Sequence, residues 1–384
     1  MKLLHLFSNY RWTGPAEPTL NLVGALRATG WDVTFASGRA PALGRDGVLR
    51  AAEDRGIPAR SGLRLRKHRR LLANLLDARR LAAWLDAERF DLVHANLHNA
   101  HAVAAAARAR SATRPLLVRT CFAGEGPQGR AEARLLRHHT DGLVVVSERA
   151  RQHVIEGCAF PADRVWLVHT AIDLARFDPT RIGAAARFER RVQLGIPRDA
   201  FVVGIIARIQ SHRRYDVFLQ AIDLARRQLP NLRAVIVGRG TNMERIAVDP
   251  VKRMGLDGVV LLPGYHRGDD YVATVAAMDA KVYLVPGTDG SCRAVRECMA
   301  MGVPVIAARR GMLPELVGDH ERGLVIDDTP ENLADAILAI AADPKRRRDM
   351  GDTARQFALR HFDLACQAED VGEIYRALAA MGPR

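Results

Sequence analysis

The stretch VPGTDGSCRAVRECMAMGVPVIAARRGMLPELV, residues 285–317, reads as the end of a buried strand, a glycine-rich turn, a helix and the following strand. The turn runs through Pro286, Gly287, Thr288, Asp289 and Gly290, and the helix starts near Ser291. Glycine at 287 and 290 lets the backbone approach a ligand closely. The amides of Ser291, Cys292 and Arg293, at a helix N-terminus, then form an anion site. Outward from this unit the same alternation continues. Strand-like runs stand at AFVVGIIARI (200–209), RAVIVG (233–238), GVVLLPG (258–264), KVYLVPG (281–287), VPVIAA (303–308) and GLVIDD (323–328). An earlier series holds KLLHLF (2–7), WDVTFAS (31–37), DLVHA (91–95), PLLVRT (115–120), GLVVVS (142–147) and RVWLVH (164–169). Short, continuous apolar runs of this kind are parallel strands covered on both faces.

Helical spacing separates the strands, as at Leu20, Val23, Ala25 and Leu26 or Leu333, Ala334, Ile337 and Ile340. The expected fold class is α/β, with two Rossmann-like doubly wound domains facing a central cleft. A ligand belongs in that cleft, at the carboxyl ends of strands. The N-terminal domain is expected over 1–178 and the C-terminal domain over 196–361. The Arg-rich, weakly apolar stretch 179–195 is expected to link them, with a last helix in 362–384 packing back on the first domain.

The 384 residues suit two domains, and 48% hydrophobic with 26% charged residues describes a soluble globular protein. The five cysteines (121, 158, 292, 298 and 366) form no C-x-x-C pair, which fits a reducing compartment rather than a disulfide framework or structural zinc. The opening MKLLHLF is too short for a signal peptide, and no window of 18 apolar residues occurs. A cytoplasmic protein is expected. The net charge of +14 favours an anionic partner. With only 5% aromatic residues and no basic aromatic platform, that partner is not expected to be nucleic acid.

The 285–317 stretch resembles the E-x7-E motif region of the retaining family-four glycosyltransferases, which adopt the GT-B fold. The match runs through Pro286, Asp289, Gly290, Glu297, Met299, Ala300, Gly302, Pro304, Val305 and Ile306. The resemblance implies that Asp289 contacts the donor sugar, the 290–293 amides hold phosphate, and Glu297 accepts hydrogen bonds from ribose hydroxyls. Asp289 is one methylene shorter than the usual Glu. VVGIIARIQSHRRYDVFLQA (202–221) resembles the family's Gly-Arg-Leu-x-x-x-Lys-Gly segment, with Arg208 at the arginine, Arg213 at the lysine and Arg214 at the glycine. Two such cations would neutralise the charge of a leaving diphosphate, and arginine does so with bidentate geometry. WTGPAEPTLNLVGALRATGWDVT (12–34) is similar to the family's first loop-helix unit, where Gly14 would approach a phosphate. The family's histidine after the strand PLLVRTC is replaced by Phe122, leaving His98, His101 or His169 to take over its contacts.

The resemblance implies transfer of a sugar from a UDP- or GDP-sugar to a glycan or lipid-linked acceptor, with retention, in cell-surface polysaccharide or glycoconjugate synthesis. A GT-B-like epimerase or phosphorylase, or an inactive family member, is the alternative. No Asp-x-Asp motif of the metal-binding kind is present, so no cofactor and no metal are expected. RSGLRLRKHRRLLANLLDARR (60–80) carries eight Arg/Lys against one Asp. Leu71, Leu75, Ala78, Ala82 and Leu85 mark one face of an expected basic amphipathic helix there. Such a helix fits either ordinary packing or docking on the inner face of an anionic membrane, as a peripheral protein.

Overall fold

A computed structural model describes residues 1–40, 47–285 and 292–384. The chain divides into two compact units. Unit 1 comprises Met1–Ile172 and Asp363–Arg384; unit 2 comprises 173–285 and Cys292–Phe362.

Unit 1 is built on β1 (Lys2–Phe7), β2 (Asp32–Ser37), β3 (Ala59–Arg60), β4 (Leu92–Asn96), β5 (Leu116–Cys121), β6 (Gly142–Val145) and β7 (Val165–Leu167), in sheet order β3-β2-β1-β4-β5-β6-β7. The pairings between these strands are parallel. Leu3, Phe7, Val33, Phe35, Leu92 and Val118 meet helix Ala16–Ala28 through Leu20, Val23 and Leu26. The same core includes Val371, Tyr375 and Leu378 of the helix Leu364–Met381.

Three histidines lie inside unit 1. Tyr375 Oη is 3.1 Å from His5 Nε2 and 2.5 Å from His94 Nδ1, while His94 Nε2 is 2.6 Å from Thr120 Oγ1. His101 Nε2 is 2.7 Å from Thr140 Oγ1. All three rings are fully buried. Burial holds each well below the usual histidine range, His94 at about 3.

Unit 2 has β8 (Phe201–Ile206), β9 (Leu232–Val237), β10 (Val260–Gly264), β11 (Ala280–Tyr283), β12 (Val305–Ala308) and β13 (Gly323–Ile326), all parallel, in order β10-β9-β8-β11-β12-β13. The strand order reverses at the β8/β11 junction, where ligands sit in doubly wound sheets.

Two sequence expectations need correction. The expected linker 179–195 contains the helix Ala184–Gln193, and this belongs to unit 2, which begins at Asp173. Polar contacts hold it instead of an apolar stripe. Buried Arg191 donates to the carbonyls of Ala277 and Ala200 at 2.9 and 3.0 Å and to Asp279 Oδ2 at 2.8 Å. The expected helix over 60–80 starts only at Leu71 and runs to Glu88. The buried Asp77 carboxylate accepts the backbone N–H of Arg64 and Leu65 at 2.9 and 2.8 Å, which pins 63–65 outside the helix and buries Leu63 and Leu65. The expected apolar face is split as well: Ala78, Ala82 and Leu85 are buried, but Leu71 is 89% exposed.

Candidate active site

The carboxyl ends of β8 and β11 gather charged side chains of unit 2. β8 is apolar and buried until Ile206; Arg208 follows it and points to solvent. Its loop is held tightly, because Ala207 N donates to Val237 O and Ile209 N to Arg239 O at 3.2 and 3.1 Å. That approach requires glycine beside it: a Cβ on Gly238 would lie 2.0 Å from Ala207 O, and one on Gly240 2.0 Å from Ile209 O. Gly240→Ala is therefore expected to destabilise unit 2 by about 1–3 kcal/mol, since a carbonyl cannot swing away as a side chain can. Calorimetric melting checks this, and an unchanged transition would mean that the 207–209 loop yields freely.

The chain then makes a 3-10 turn, Ser211–Arg213, before the helix Tyr215–Arg226. Arg213 is half-buried, and its Nη1 donates to Tyr283 Oη at 3.3 Å. Among the described residues its buried Nε has no hydrogen-bond partner. A buried, unsatisfied guanidinium N–H is costly unless a ligand completes it. Arg214 is committed elsewhere: it adopts the left-handed conformation at φ 58° and pairs with Asp328, which Arg310 also holds at 2.8 Å. Of the two neighbouring arginines, Arg213 is thus the one available to an anion.

Across the junction, the helix Arg293–Ala300 follows β11, with buried Cys292 at its N-cap position in the left-handed region. Glu297 is its fifth residue and is buried. Tyr271 Oη donates to Glu297 Oε2 at 2.5 Å, and Arg293 Nε lies 3.2 Å from Oε1. Burial raises the Glu297 carboxyl above the usual range; Arg293, the Tyr271 hydroxyl, Arg176 and Lys281 oppose it. Burial and the neighbouring carboxylate likewise push the Tyr271 phenol well up, which keeps it a donor.

Of the residues expected at the site, Arg208, Arg213, Cys292, Arg293 and Glu297 stand in unit 2, in the segments that follow β8 and β11. Asp289, Gly290 and Ser291 lie outside the described residues. Gly14 lies in the turn between β1 and the helix Ala16–Ala28, in unit 1. Buried His101 is a core residue, so it cannot replace the histidine missing at Phe122. His98 Nδ1 lies 3.3 Å from Glu132 Oε1. Burial would raise Glu132, but contact with His98 and the charge of Arg119 outweigh it and hold the carboxyl at about 2. Sequence reading passed over Tyr271, Tyr283 and Lys281. The available signal for the last was a lysine at the head of an otherwise apolar run, KVYLV.

Comparison with known proteins follows the same division. Residues 186–357 match the model for glycosyl transferases group 1, and residues 14–176 that for glycosyltransferase family 4. A D-inositol 3-phosphate glycosyltransferase of Kineococcus radiotolerans is 32% identical over 317 residues, covering 76% of this chain and 68% of that protein. Proteins of the same name from Saccharomonospora viridis and Corynebacterium kroppenstedtii are 34% and 28% identical over 62% and 64% of this chain. The matches span 56% and 55% of their own lengths, just over half of each. The structure of Anabaena HepE in complex with UDP aligns with a TM-score of 0.82 at 20% identity, covering 98% of this chain and all of that one. WaaG, a glycosyltransferase involved in lipopolysaccharide biosynthesis, aligns at 0.69 with 14% identity over 97% and 99% of the two chains. These two structural likenesses carry the fold, the two-domain α/β arrangement called GT-B.

Proposed function

Because the chain belongs to the glycosyltransferases built from a family-4 and a group-1 domain, we propose that it transfers a hexosyl group from a nucleoside-diphosphate sugar to a hydroxyl acceptor. The observation that carries this reading is Arg213. It is a cation at the β8/β11 switch point with a buried N–H that no described residue matches, in the same unit as the buried Glu297 carboxylate. A diphosphate suits the first group and a ribose diol the second. Cleavage of the sugar–phosphate bond leaves negative charge on the diphosphate, and fixed arginines stabilise it as it develops. We assign that role to Arg213 with Arg208, together with the amides at 290–293, and require no metal for it. Asp289 is assigned to the donor sugar and Gly14 to a phosphate.

UDP- and GDP-sugars are the donors proposed, with retention of anomeric configuration and a glycan or lipid-linked acceptor in glycoconjugate synthesis. The names of the curated relatives add a phosphorylated polyol as a further acceptor class to test. The experiment is a thermal-shift screen with UDP, GDP and their hexose conjugates, followed by release of free nucleoside diphosphate with and without EDTA. Stabilisation by one nucleotide and turnover that survives chelation are expected, since a ligand of the native state raises its melting point. No shift with any nucleotide would remove the transferase reading. Activity lost to EDTA and regained with Mn²⁺ would remove its metal-free form.

One observation favours a second element, docking on an anionic membrane surface. Leu71, Leu72, Leu75 and Leu76 are 89%, 81%, 38% and 41% exposed at the start of the helix Leu71–Glu88. Arg64, Arg66, Lys67, His68, Arg69 and Arg70 precede them, all exposed. Leucines standing in water beside clustered cations are the composition of an interfacial helix end. Among the described residues no helix is long and apolar enough to cross a membrane, so any attachment through helices would be peripheral. Co-sedimentation with phosphatidylglycerol vesicles at low salt is expected, and Leu71→Ser with Leu72→Ser should weaken it roughly tenfold or more. Equal binding by the double variant, or none by the wild type, would leave the leucines unexplained and the membrane idea without support.

A further inference from the structure

We propose that Tyr271 is a positioning residue of the donor site: its hydroxyl locks the plane of the Glu297 carboxylate, and that locked plane tells a ribose from a deoxyribose nucleotide. The proposal rests on the donor reading above, and Tyr271 acts through Glu297 rather than by touching the donor.

A glutamate does not set the direction of its own carboxylate. Its last torsion joins an sp³ to an sp² carbon and is broad, so helix geometry alone lets the Glu297 carboxylate turn. Two side chains fix it. Arg293, one turn back on the same helix, puts Nε 3.2 Å from Oε1, but it is 43% exposed, and such pairs hold weakly. Tyr271 donates to Oε2 at 2.5 Å from a different helix, Gly268–Ala276. A hydroxyl on a carboxylate at this distance makes a charge-assisted bond, roughly twice as strong as a neutral one. Glu297 is only 3% exposed, so water competes little for it.

Tyr271 can hold because it is itself held. Its ring meets buried Phe177 edge to face, with centroids 6.0 Å apart and planes at 87°. Arg176 Nη2 donates to the carbonyl of Gly268, the first residue of the Tyr271 helix, at 3.0 Å. Beyond Tyr271, buried Thr274 Oγ1 accepts from Arg190 Nε at 3.0 Å. The helix is thus fastened on both sides of the tyrosine. A phenylalanine would keep the ring contact with Phe177; the hydroxyl is what reaches Glu297. An ionised carboxylate offers about four lone-pair sites, two on each oxygen. Tyr271 and Arg293 take one on each, which leaves one on each for the adjacent hydroxyls of a ribose. A deoxyribose leaves one of those two unmatched.

The experiment is calorimetric titration of the full chain with UDP and 2′-deoxy-UDP, and with GDP and 2′-deoxy-GDP, each variant beside a melting curve. The wild type is expected to bind the ribose form about tenfold more tightly, the effect of one hydrogen bond to a charged acceptor. Tyr271→Phe is expected to narrow that preference to roughly two- to threefold by weakening the ribose form, with the deoxy form nearly unchanged. In a Glu297→Ala background, or Glu297→Gln should the alanine variant not fold, the tyrosine substitution is expected to change nothing further, because the group it acts through has gone. A packing role alone would instead lower the melting temperature and weaken both forms together. A folded Tyr271→Phe with the wild-type preference for ribose would overturn the proposal, and so would an effect of equal size in the Glu297 background. Equal binding of both forms by the wild type would also overturn it, by removing ribose recognition from Glu297 while the diphosphate reading stands. Failure of the wild type to bind any nucleoside diphosphate would sink the donor reading itself, and the positioning role with it.

Discussion

Replacement of Arg213 by methionine is expected to lower sugar transfer by about 10²–10³-fold while leaving the melting temperature within a degree or two of the wild type. The rate loss corresponds to roughly 3–4 kcal/mol, the usual consequence of removing one group aimed at charge that develops in the transition state. The stability expectation follows from the contacts. The Arg213 guanidinium donates to Tyr283 Oη at 3.3 Å, and among the described residues its Nε is unmatched, so removing it relieves about as much as it loses. Arg214→Met, one residue on, should do the reverse, because Arg214 pairs with Asp328 at the head of a helix. Steady-state kinetics with donor as the varied substrate, beside a melting curve for each variant, separate the two. Full turnover in the Arg213 variant would mean that the diphosphate is held elsewhere.

Acid should weaken unit 1 selectively. In the folded chain His94 protonates only near pH 3, while in the unfolded chain it does so near 6.5. Between those values the unfolded state binds the extra proton, so stability is fully present above about 6.5 and is lost as pH falls. One proton corresponds to about 1.4 kcal/mol per pH unit, hence about 2 kcal/mol for His94 alone at pH 5. His5 and His101, buried and likewise lowered, add in the same direction. All four tryptophans (Trp12, Trp31, Trp84 and Trp166) lie in unit 1, so their fluorescence reports on it. Urea midpoints taken by this signal at pH 7.5 and pH 5 should differ, and His94→Gln should reduce the difference. Equal midpoints would contradict the assignment of neutral buried rings.

The strands were legible in the sequence because parallel strands covered on both faces are continuous apolar runs, and KLLHLF or FVVGII allow little else. Arg208, Arg213 and Glu297 were singled out by the family resemblance, and they lie in the segments that follow the two strands meeting at the switch point. What escaped was whatever depends on a distant partner. The 60–70 segment has a composition a helix accepts, but one carboxylate, Asp77, takes its backbone N–H groups and decides otherwise. The stretch 184–193 lacks an apolar stripe, and Arg191 replaces it by reaching two carbonyls and Asp279. Tyr271 is invisible for the same reason: its hydroxyl matters only because Glu297 stands opposite, 26 positions away.

Unit 1 is discontinuous, and this limits how the protein can be cut. Removing the helix Leu364–Met381 would strip Val371, Tyr375 and Leu378 from the core formed by the first 172 residues. A gene fragment ending near residue 172 would therefore yield a molten, aggregation-prone half. Unit 2, in contrast, is an insert that could be excised and bridged. During translation the first half must wait, incomplete, for a segment made some two hundred residues later, which exposes it to chaperones for that interval.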